Sequence, residues 1–386
     1  MKRSYICLAM LFAVSVGAEA TDNAALTETP ANAQHTWHKL DTEPYKGKQD
    51  DVFFVDRKVG FYVNGKGNIF RSDDGGDSWR KVLSQPGTYF RAIGMLDAQH
   101  GFAGNIGTEY FPGVTDEKPL YETSDGGQHW SAVANLPGEK VRGICAIDVL
   151  KTHYINAGKL DDRVIVHAAG RVGGPAFLLR SLDGGKTWAN IDMNKEVAAI
   201  VDVKFFDEMN GVAFAGSDAD IERSHALIVA THDGGKSWKK VYESSRLFEM
   251  TWKGYFPSRK IGFATVQNYD ENTENKQRYV VKTTDGGETW QELPLVSDHG
   301  VNEFGVGFLD EQTGWVGTSK GGFETRDGGA HWQAVELGRY VNKFRFVRDQ
   351  DDTVAYAIGA DVYRWSVSPP PSPTNTTEAP VSVSKP

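Results

Sequence analysis

The sequence predicts an all-β chain folded as a seven-bladed β-propeller, with six blades as the alternative. Three observations predict it: an eight-residue box that returns six times, a strand plan shared by the repeats, and two chain ends that complement each other. The boxes begin at Ser72, Thr123, Ser181, Thr231, Thr283 and Thr325, at intervals of 42 to 58 residues. Periods in this range are typical of propellers and solenoids, in which each repeat is one supersecondary unit.

Each repeat has the same internal plan. The first box is preceded by DVFFVDRKVGFYVNGKGNIFRS and the sixth by EFGVGFLDEQTGWVGTSKGGFETR. Both segments are typical of a strand, a polar turn, an aromatic strand, a glycine turn and a third strand. A further alternating segment such as WRKVL follows the box tryptophan. Four short strands at this spacing predict one antiparallel sheet per repeat, and helical periodicity is nearly absent.

The two ends of the chain supply the seventh sheet. After the sixth box, NKFRFVRDQDDTVAYAIGADVYRW repeats the first three strands and stops without a box. The missing fourth strand is TWHKL at Thr36–Leu40, which matches SWRKV at Ser78–Val82. The N-terminal strand is therefore predicted to complete the last blade and close the ring, which removes open sheet edges. The propeller is expected to span residues 36–367.

The box itself is predicted to be a turn. Its Asp-Gly-Gly core suits a tight connection between the third and fourth strands, because Asp bonds nearby amides and Gly accepts positive φ. The tryptophan five residues after the aspartate is expected to pack beneath the turn. A structural role is favoured because an active site needs only one copy. The predicted structural residues are Asp74, Trp79, Asp125, Trp130, Asp183, Trp188, Asp233, Trp238, Asp285, Trp290, Asp327 and Trp332.

The acids of the boxes do not predict a metal site. DDGGD at Asp73–Asp77 lacks the residue order of a calcium loop, and the chain contains no His-Glu-x-x-His run. We therefore expect no metal and no cofactor. With 42 Lys and Arg against 51 Asp and Glu, the net charge of −9 also argues against a nucleic-acid partner.

The N-terminus predicts export. Lys2 and Arg3 precede an apolar run, and Ala18-Glu19-Ala20 offers a cleavage site, so residues 1–20 are predicted to be a signal peptide. We expect a periplasmic or extracellular protein without a transmembrane span in the mature chain, because no apolar run reaches about 20 residues. Residues 368–386 are rich in Pro, Ser and Thr, which predicts a disordered tail. Cys145, the one cysteine after the predicted signal, is expected to be a buried apolar residue.

The repeats resemble a known family. The box is similar to the Asp-box, or bacterial neuraminidase repeat, of sialidases and other propellers. The longer phrases at Gly60–Trp79 and Gly314–Trp332 resemble the photosystem II stability/assembly factor family, and the likeness extends between Trp37 and Trp365. The resemblance implies an exported or lumenal, chaperone-like binding propeller, and members of this family are not known as enzymes.

A carbohydrate-active propeller, either a sialidase-like hydrolase or a lectin, is the alternative. Sialidases carry an early Arg in a Phe/Tyr-Arg-Ile-Pro stretch, and YFRAIG at Tyr89–Gly94 departs from it because Ala replaces Pro. Its strand also begins the second blade rather than the first. The sequence therefore favours a non-catalytic protein over an enzyme.

Function is predicted at the starts of the innermost strands, which a propeller gathers around one channel mouth. The predicted docking face consists of Arg91, Arg142, Glu249, Glu303 and Lys343. The resemblance implies a basic cluster on one face, and Arg91 and Arg142 are the two residues of this chain that match it. The alternative is that the residues of the docking face are ordinary solvated strand ends. We expect a monomer that binds a protein or peptide of a membrane or envelope complex. Arg91→Glu with Arg142→Glu is predicted to abolish partner capture and to leave the melting temperature nearly unchanged.

Overall fold

The computed structural model describes residues 35–156, 159–348 and 353–367, which belong to one compact unit, His35–Val367. The predicted signal peptide and the predicted tail lie outside the described residues. The unit contains 28 strands in seven four-stranded antiparallel sheets. A single turn of 3-10 helix at Ile221–Arg223 is the one helix in these ranges, and no helix in them is long and apolar enough to cross a membrane. The all-β class and the seven-blade count are confirmed.

The strands of each blade run from the channel outward. Blade 1 contains β2 (Gln49–Phe54), β3 (Gly60–Asn64), β4 (Asn68–Ser72) and β5 (Arg80–Ser84). Blade 2 contains β6 (Phe90–Met95), β7 (Gly101–Asn105), β8 (Leu120–Thr123) and β9 (Ser131–Ala132). Blade 3 contains β10 (Ala146–Asn156), β11 (Lys159–Gly170), β12 (Phe177–Ser181) and β13 (Ala189–Asp192). Blade 4 contains β14 (Ala199–Phe205), β15 (Gly211–Gly216), β16 (Ala226–Thr231) and β17 (Lys239–Glu243).

The remaining blades follow the same order. Blade 5 contains β18 (Glu249–Tyr255), β19 (Gly262–Asn268), β20 (Gln277–Thr283) and β21 (Gln291–Ser297). Blade 6 contains β22 (Glu303–Phe308), β23 (Gly314–Thr318), β24 (Gly322–Thr325) and β25 (Gln333–Val335). Blade 7 contains β26 (Lys343–Arg348), β27 (Thr353–Ile358), β28 (Val362–Val367) and, as its outermost strand, β1 (His35–Lys39).

The N-terminal strand closes the ring, as the sequence predicts. β1 pairs antiparallel with β28, from His35 opposite Val367 to Lys39 opposite Tyr363. The Trp37 ring packs edge-on against Trp315, with centroids 5.4 Å apart, and against Phe344 at 5.7 Å. β1 is thus held by apolar contacts as well as by backbone hydrogen bonds. Because it completes a seventh sheet, the six-blade alternative is excluded.

The six boxes connect the third and fourth strands of blades 1 to 6. In blade 5 the Thr283 hydroxyl accepts a hydrogen bond from the Gly287 amide at 2.9 Å and donates one to Asp285 at 2.7 Å. Asp285 also accepts from the amide and the hydroxyl of Thr289, at 3.0 and 2.6 Å. Gly286 and Gly287 have φ of +80° and +100°, which disfavour any side chain. Burial alone would raise the pKa of Asp285, but these hydrogen bonds lower it to about 2.

The core lies between neighbouring blades. Phe263 of blade 5 stacks on Phe308 of blade 6 with ring centroids 3.7 Å apart. The box tryptophans take part, since Trp188 of blade 3 packs edge-on against Phe102 of blade 2 at 5.4 Å. Each blade is therefore held mainly by its two neighbours.

Two faces result from this topology. The box face carries the turns formed by the six boxes and the loops that join the first strand of each blade to the second. The mouth face carries the loops between second and third strands and the segments that link one blade to the next. The innermost strands begin at the mouth face.

Candidate functional site at the channel mouth

The innermost strands of five blades carry a β-bulge near the mouth. The register of β2 skips Asp50 between Gln49 and Asp51, and the register of β6 skips Arg91 between Phe90 and Ala92. Comparable shifts occur in β14, β18 and β22. A bulge leaves one residue unpaired and re-aims its side chain. The bulges therefore direct additional side chains toward the channel axis.

Seven residues, one from each blade, close the channel just inside the mouth. We call them the channel plug: Asp50, Arg91, Cys145, Val201, Trp252, Phe304 and Asn342. Trp252 lies at its centre, with the Arg91 guanidinium 5.0 Å from its ring centroid and the Phe304 ring 6.1 Å away. Its Nε1 donates to Asn342 Oδ1 at 2.8 Å, and Asn342 Nδ2 donates to the Asp50 carbonyl at 2.9 Å. Cys145 is buried against Val201 and Trp252. The mouth is therefore shallow.

A compact charge cluster sits at the edge of the plug. Arg91 Nη1 lies 2.5 Å from Asp50 Oδ1, and Lys48 Nζ lies 2.9 Å from the same oxygen. Burial and the nearby Arg91 lower the pKa of Lys48 to about 7, although Asp50 opposes the shift. Lys48 Nζ also lies 5.7 Å from the Phe304 ring centroid. Two cations thus share one carboxylate at the mouth.

Four exposed or half-buried aromatic side chains surround the plug. We call them the aromatic rim: Tyr110, Phe111, Tyr269 and Tyr340. Tyr110 packs edge-on against Phe111, which stacks on Tyr89 with centroids 4.6 Å apart. Tyr340 packs edge-on against Phe304 of the plug at 5.6 Å. Tyr110, Tyr269 and Tyr340 are 40%, 39% and 37% exposed and are three of the six large hydrophobic side chains of the described residues that remain exposed. Exposed apolar groups that cluster on one face mark binding surfaces.

Backbone strain concentrates on the same face. Four non-glycine residues in the described ranges have positive φ: Glu109, Asn135, Phe248 and Tyr340, at 73°, 55°, 63° and 60°. All four lie in loops of the mouth face. Left-handed conformations of non-glycine residues cost free energy and are found mostly where function or dense surroundings hold them.

Two arginines and a glutamate form a second charge cluster on this face. Arg142 is exposed, and its Nη1 lies 2.5 Å from Glu109 Oε2. Arg171 is buried, with one Nη 3.8 Å from the same oxygen and the other donating to the Thr108 carbonyl at 2.6 Å. The two guanidinium groups and Tyr110 border an open cleft of about 540 Å³. A carboxylate from outside could replace Glu109 between these arginines.

The predicted docking residues differ in their surroundings. Arg142 is exposed, whereas Arg91, Glu249 and Glu303 are buried. Lys343 lies deeper in the channel, with Nζ 3.1 Å from both oxygens of Asp202. The five residues therefore do not form one exposed docking face, and the alternative of solvated strand ends is wrong for the three that are buried. Arg91 contacts Asp50 and Arg142 contacts Glu109, so the two arginines belong to separate clusters.

The two predicted glutamates are neighbours with different partners. Glu249 Oε1 accepts from Arg246 Nε at 2.7 Å and from Asn268 Nδ2 at 2.8 Å. Neither carboxyl oxygen of Glu303 has a hydrogen-bond partner among the described residues, and the side chain is fully buried. Burial, and less strongly the Glu249 carboxylate, raise the pKa of Glu303 well above its usual range. Burial thus favours the neutral form of the Glu303 carboxyl group.

Several residues of the mouth were missed in the sequence. Trp252 and Phe304 follow the predicted Glu249 and Glu303 by three residues and one residue, and the bulges turn them inward. Arg171 lies at the end of the second strand of blade 3, where no strand-start pattern points to it. The sequence did contain one signal for the mouth: Tyr110 and Tyr269 are large aromatic residues within polar loop segments.

The fold and the mouth together define a seven-bladed propeller with one face that carries exposed aromatic and charged side chains. The chain is similar to the photosystem II assembly lipoprotein Ycf48 of Synechococcus sp. (strain CC9902), with 24% identity over 354 residues, 88% of this chain and 91% of the relative. The resemblance to the photosystem II stability/assembly factor family is thereby confirmed. No family model matches the chain.

Solved structures and a second curated relative extend the comparison. The structure of YCF48 bound to D1 peptide matches with a TM-score of 0.58 and 18% identity, covering 87% of this chain and 95% of the other. YCF48 from Cyanidioschyzon merolae matches with a TM-score of 0.56 and 17% identity, covering 85% and 98%. These likenesses show the fold. A xyloglucanase of Paenibacillus sp. is 24% identical over 242 residues, which cover 54% of this chain and 21% of the enzyme.

Proposed function

We propose that this propeller binds a segment of another protein at its mouth face and acts in the assembly or stabilisation of a membrane complex such as photosystem II. The observation that carries the proposal is the aromatic rim of exposed tyrosines around a plugged channel. The similarity to Ycf48 over nearly both whole chains supports it, as does the structure of YCF48 with a bound D1 peptide. The plug leaves a shallow surface, which suits an extended segment better than a small substrate.

The rim and the charge clusters would contribute differently to binding. Tyrosines supply large contact area at low entropic cost and dominate many protein interfaces. Arg142 would bind a carboxylate of the partner in two parallel hydrogen bonds, and Arg171 would add its charge from below. Releasing Glu109 costs little, since an exposed ion pair contributes only about 0–1 kcal/mol. We therefore propose a partner segment with apolar side chains next to an acidic group.

The comparison with Ycf48 also bears on the location of the protein. We propose that the protein is exported and acts as a monomer without nucleic acid. The predicted signal peptide supports export, and the relative from Synechococcus is named a lipoprotein. An exported propeller would meet the exposed segments of membrane proteins on the far side of the membrane.

Crosslinking to native membranes tests the proposal. The wild-type chain should capture a membrane-complex subunit, identified by mass spectrometry, and then bind a synthetic peptide of the crosslinked segment. The double substitution Tyr110→Ser with Tyr269→Ser should weaken the binding of that peptide at least tenfold. Met209→Ser with Leu182→Ser is the matched control, because both residues are exposed and apolar but lie on the box face. Equal loss in both double variants would argue against the mouth face.

A carbohydrate-active propeller remains the second candidate, because of the likeness to part of a xyloglucanase. The buried Glu249 and Glu303 argue against it, since a glycosidase needs two carboxyl groups that reach a sugar from an open cleft. Hydrolysis of xyloglucan by the wild-type chain, lost in Glu303→Gln, would overturn the binding proposal. We expect no turnover.

A further inference from the structure

The channel continues beneath the plug as a second, separate space. A cavity of about 220 Å³ lies between the innermost strands of blades 3 to 7, one layer further from the mouth. Its walls combine apolar side chains, among them Ile147, Val203 and Val306, with charged ones. We call it the lower channel. Its size is below that of ordinary ligand pockets, about 300–1,000 Å³, so it could hold only a small molecule.

Each carboxylate around the lower channel already has a cation. Asp202 is paired with Lys343 at 3.1 Å and accepts from the Gly254 amide at 3.3 Å. Asp148 is paired with Lys204 at 2.8 Å and accepts from the Phe205 amide at 2.9 Å.

Asp51 lies outside the cavity wall but is the partner of Arg345, which belongs to the wall. It is paired with Arg345 at 3.3 Å and accepts from the Ile93 amide at 3.0 Å. Each of the three carboxylates thus has a cation within 3.3 Å, and Asp202 also acts on a second one, Lys253, from a greater distance.

Lys253 is the additional cation. Its Nζ donates to the Val201 carbonyl at 3.0 Å, the side chain is 3% exposed, and no carboxylate of the described residues lies within 4.0 Å of it. Four cations, Lys204, Lys253, Lys343 and Arg345, line the cavity together with Asp148 and Asp202, and Asp51 pairs with Arg345 from behind the wall. Lys253 is the one of the four without a carboxylate of its own, since Asp202 is already paired with Lys343. An ammonium group has three N–H donors, and a buried charge without a counter-ion is costly.

Lys253 keeps its charge near neutral pH. Burial lowers its pKa to about 8, and the nearby Asp202 opposes the shift. A pKa of about 8 leaves most of the molecules protonated at pH 7. The excess positive charge beside the cavity is therefore present under ordinary conditions.

We propose that the lower channel binds one small carboxylate anion, with Lys253 as its principal counter-charge. The carboxylate would complete the hydrogen bonds of the ammonium group and balance the fourth cation. The compact apolar part of the anion would contact Val203 and Val306. This site is independent of the proposed partner segment, because the plug separates it from the mouth face.

Acetate is the probe for a calorimetric titration of the full chain at constant ionic strength. We expect one saturable site, at least tenfold weaker in Lys253→Met and unchanged in Lys239→Met, which removes an exposed lysine of β17. Binding that is equally strong in Lys253→Met would overturn the proposal, as would the absence of saturable binding to the wild type.

A second measurement protects the test if Lys253→Met folds poorly. Methyl-labelled wild-type protein should show nuclear Overhauser contacts between bound acetate and the Val203 and Val306 methyl groups. Contacts only to other methyl groups, or none, would place the anion elsewhere and overturn the proposal. Capture of the partner segment should be the same with and without acetate, so failure here leaves the proposed function intact.

Discussion

Asp285 and Glu303 are carboxyl groups of one propeller whose pKa values move in opposite directions. Asp285 lies in an exposed turn and receives three hydrogen bonds from Thr283 and Thr289. Glu303 is fully buried and receives none from the described residues. Hydrogen bonds to the charged form lower the pKa of an acid, and desolvation raises it. The environment, rather than the residue type, decides which acid is charged.

We expect Asp285→Ala to lower the free energy of unfolding by about 1 kcal/mol, since the lost hydrogen bonds compete with solvent. Because the folded pKa of about 2 lies below the unfolded value near 3.9, this contribution is present above about pH 4 and lost as the pH falls toward 2. Urea unfolding between pH 2 and 7 measures it. Asp285→Asn keeps one acceptor oxygen, so its free energy of unfolding should lie between those of the wild type and Asp285→Ala. An alanine variant as stable as the wild type at pH 7 would contradict the role of the turn.

Glu303→Gln should change how stability depends on pH. The folded pKa of Glu303 is raised above the unfolded value near 4.3, so its contribution is complete below about pH 4 and is lost as the pH rises toward and through the raised value. Unfolding free energies from pH 4 to 9 should fall more steeply for the wild type than for Glu303→Gln. The exposed Glu311→Gln in the same blade is the control and should follow the wild type. Parallel curves for all three proteins would show that Glu303 ionises freely.

At the scale of the strand, the β-bulge separates two arginines that looked equivalent in the sequence. Arg91 is the skipped residue of β6 and enters the plug, whereas Arg142 lies four residues before β10 and is the exposed residue of an otherwise buried stretch. The period of two along a strand predicts which side chains share a face, but one extra residue reverses that assignment. The positions of Trp252 and Phe304 could not be predicted for the same reason.

Arg91 and Arg142 should therefore respond differently to the same substitution. Arg91→Glu places two carboxylates together in a buried site and should lower the free energy of unfolding by about 3–5 kcal/mol. Arg142→Glu changes an exposed residue, so its free energy of unfolding should stay within about 0.5 kcal/mol of the wild-type value. Urea unfolding of the single variants measures both effects. The double variant, expected from the sequence to keep its melting temperature, is thus expected to lose stability, and only Arg142→Glu can test binding cleanly. Equal stability of the two single variants would contradict the burial of Arg91.

At the scale of the whole molecule, the fold was predictable because the same box and strand pattern occur six times in the sequence. The Asp-Gly-Gly turns, the intervals between them and the match of Thr36–Leu40 to Ser78–Val82 determined the blade count and the closing strand. The mouth was less predictable, because it is made of the positions at which the repeats differ. Arg142 was found from its place before a strand, but Tyr110 and Arg171 reach the mouth through loops whose paths depend on packing between blades.

Closure by β1 should control how fast the ring opens. A permuted chain in which a short turn joins Val367 to His35, with new ends within residues 41–48, builds every blade from consecutive strands. Its ring is held only by contacts between blades 7 and 1, so we expect a barrier to unfolding lower by about 1–2 kcal/mol, or roughly tenfold faster unfolding in urea. The control has the same join but new ends within residues 269–276, so blade 5 still combines both chain ends. Equal unfolding rates for the two permuted chains would show that contacts between blades, rather than the shared blade, hold the ring closed.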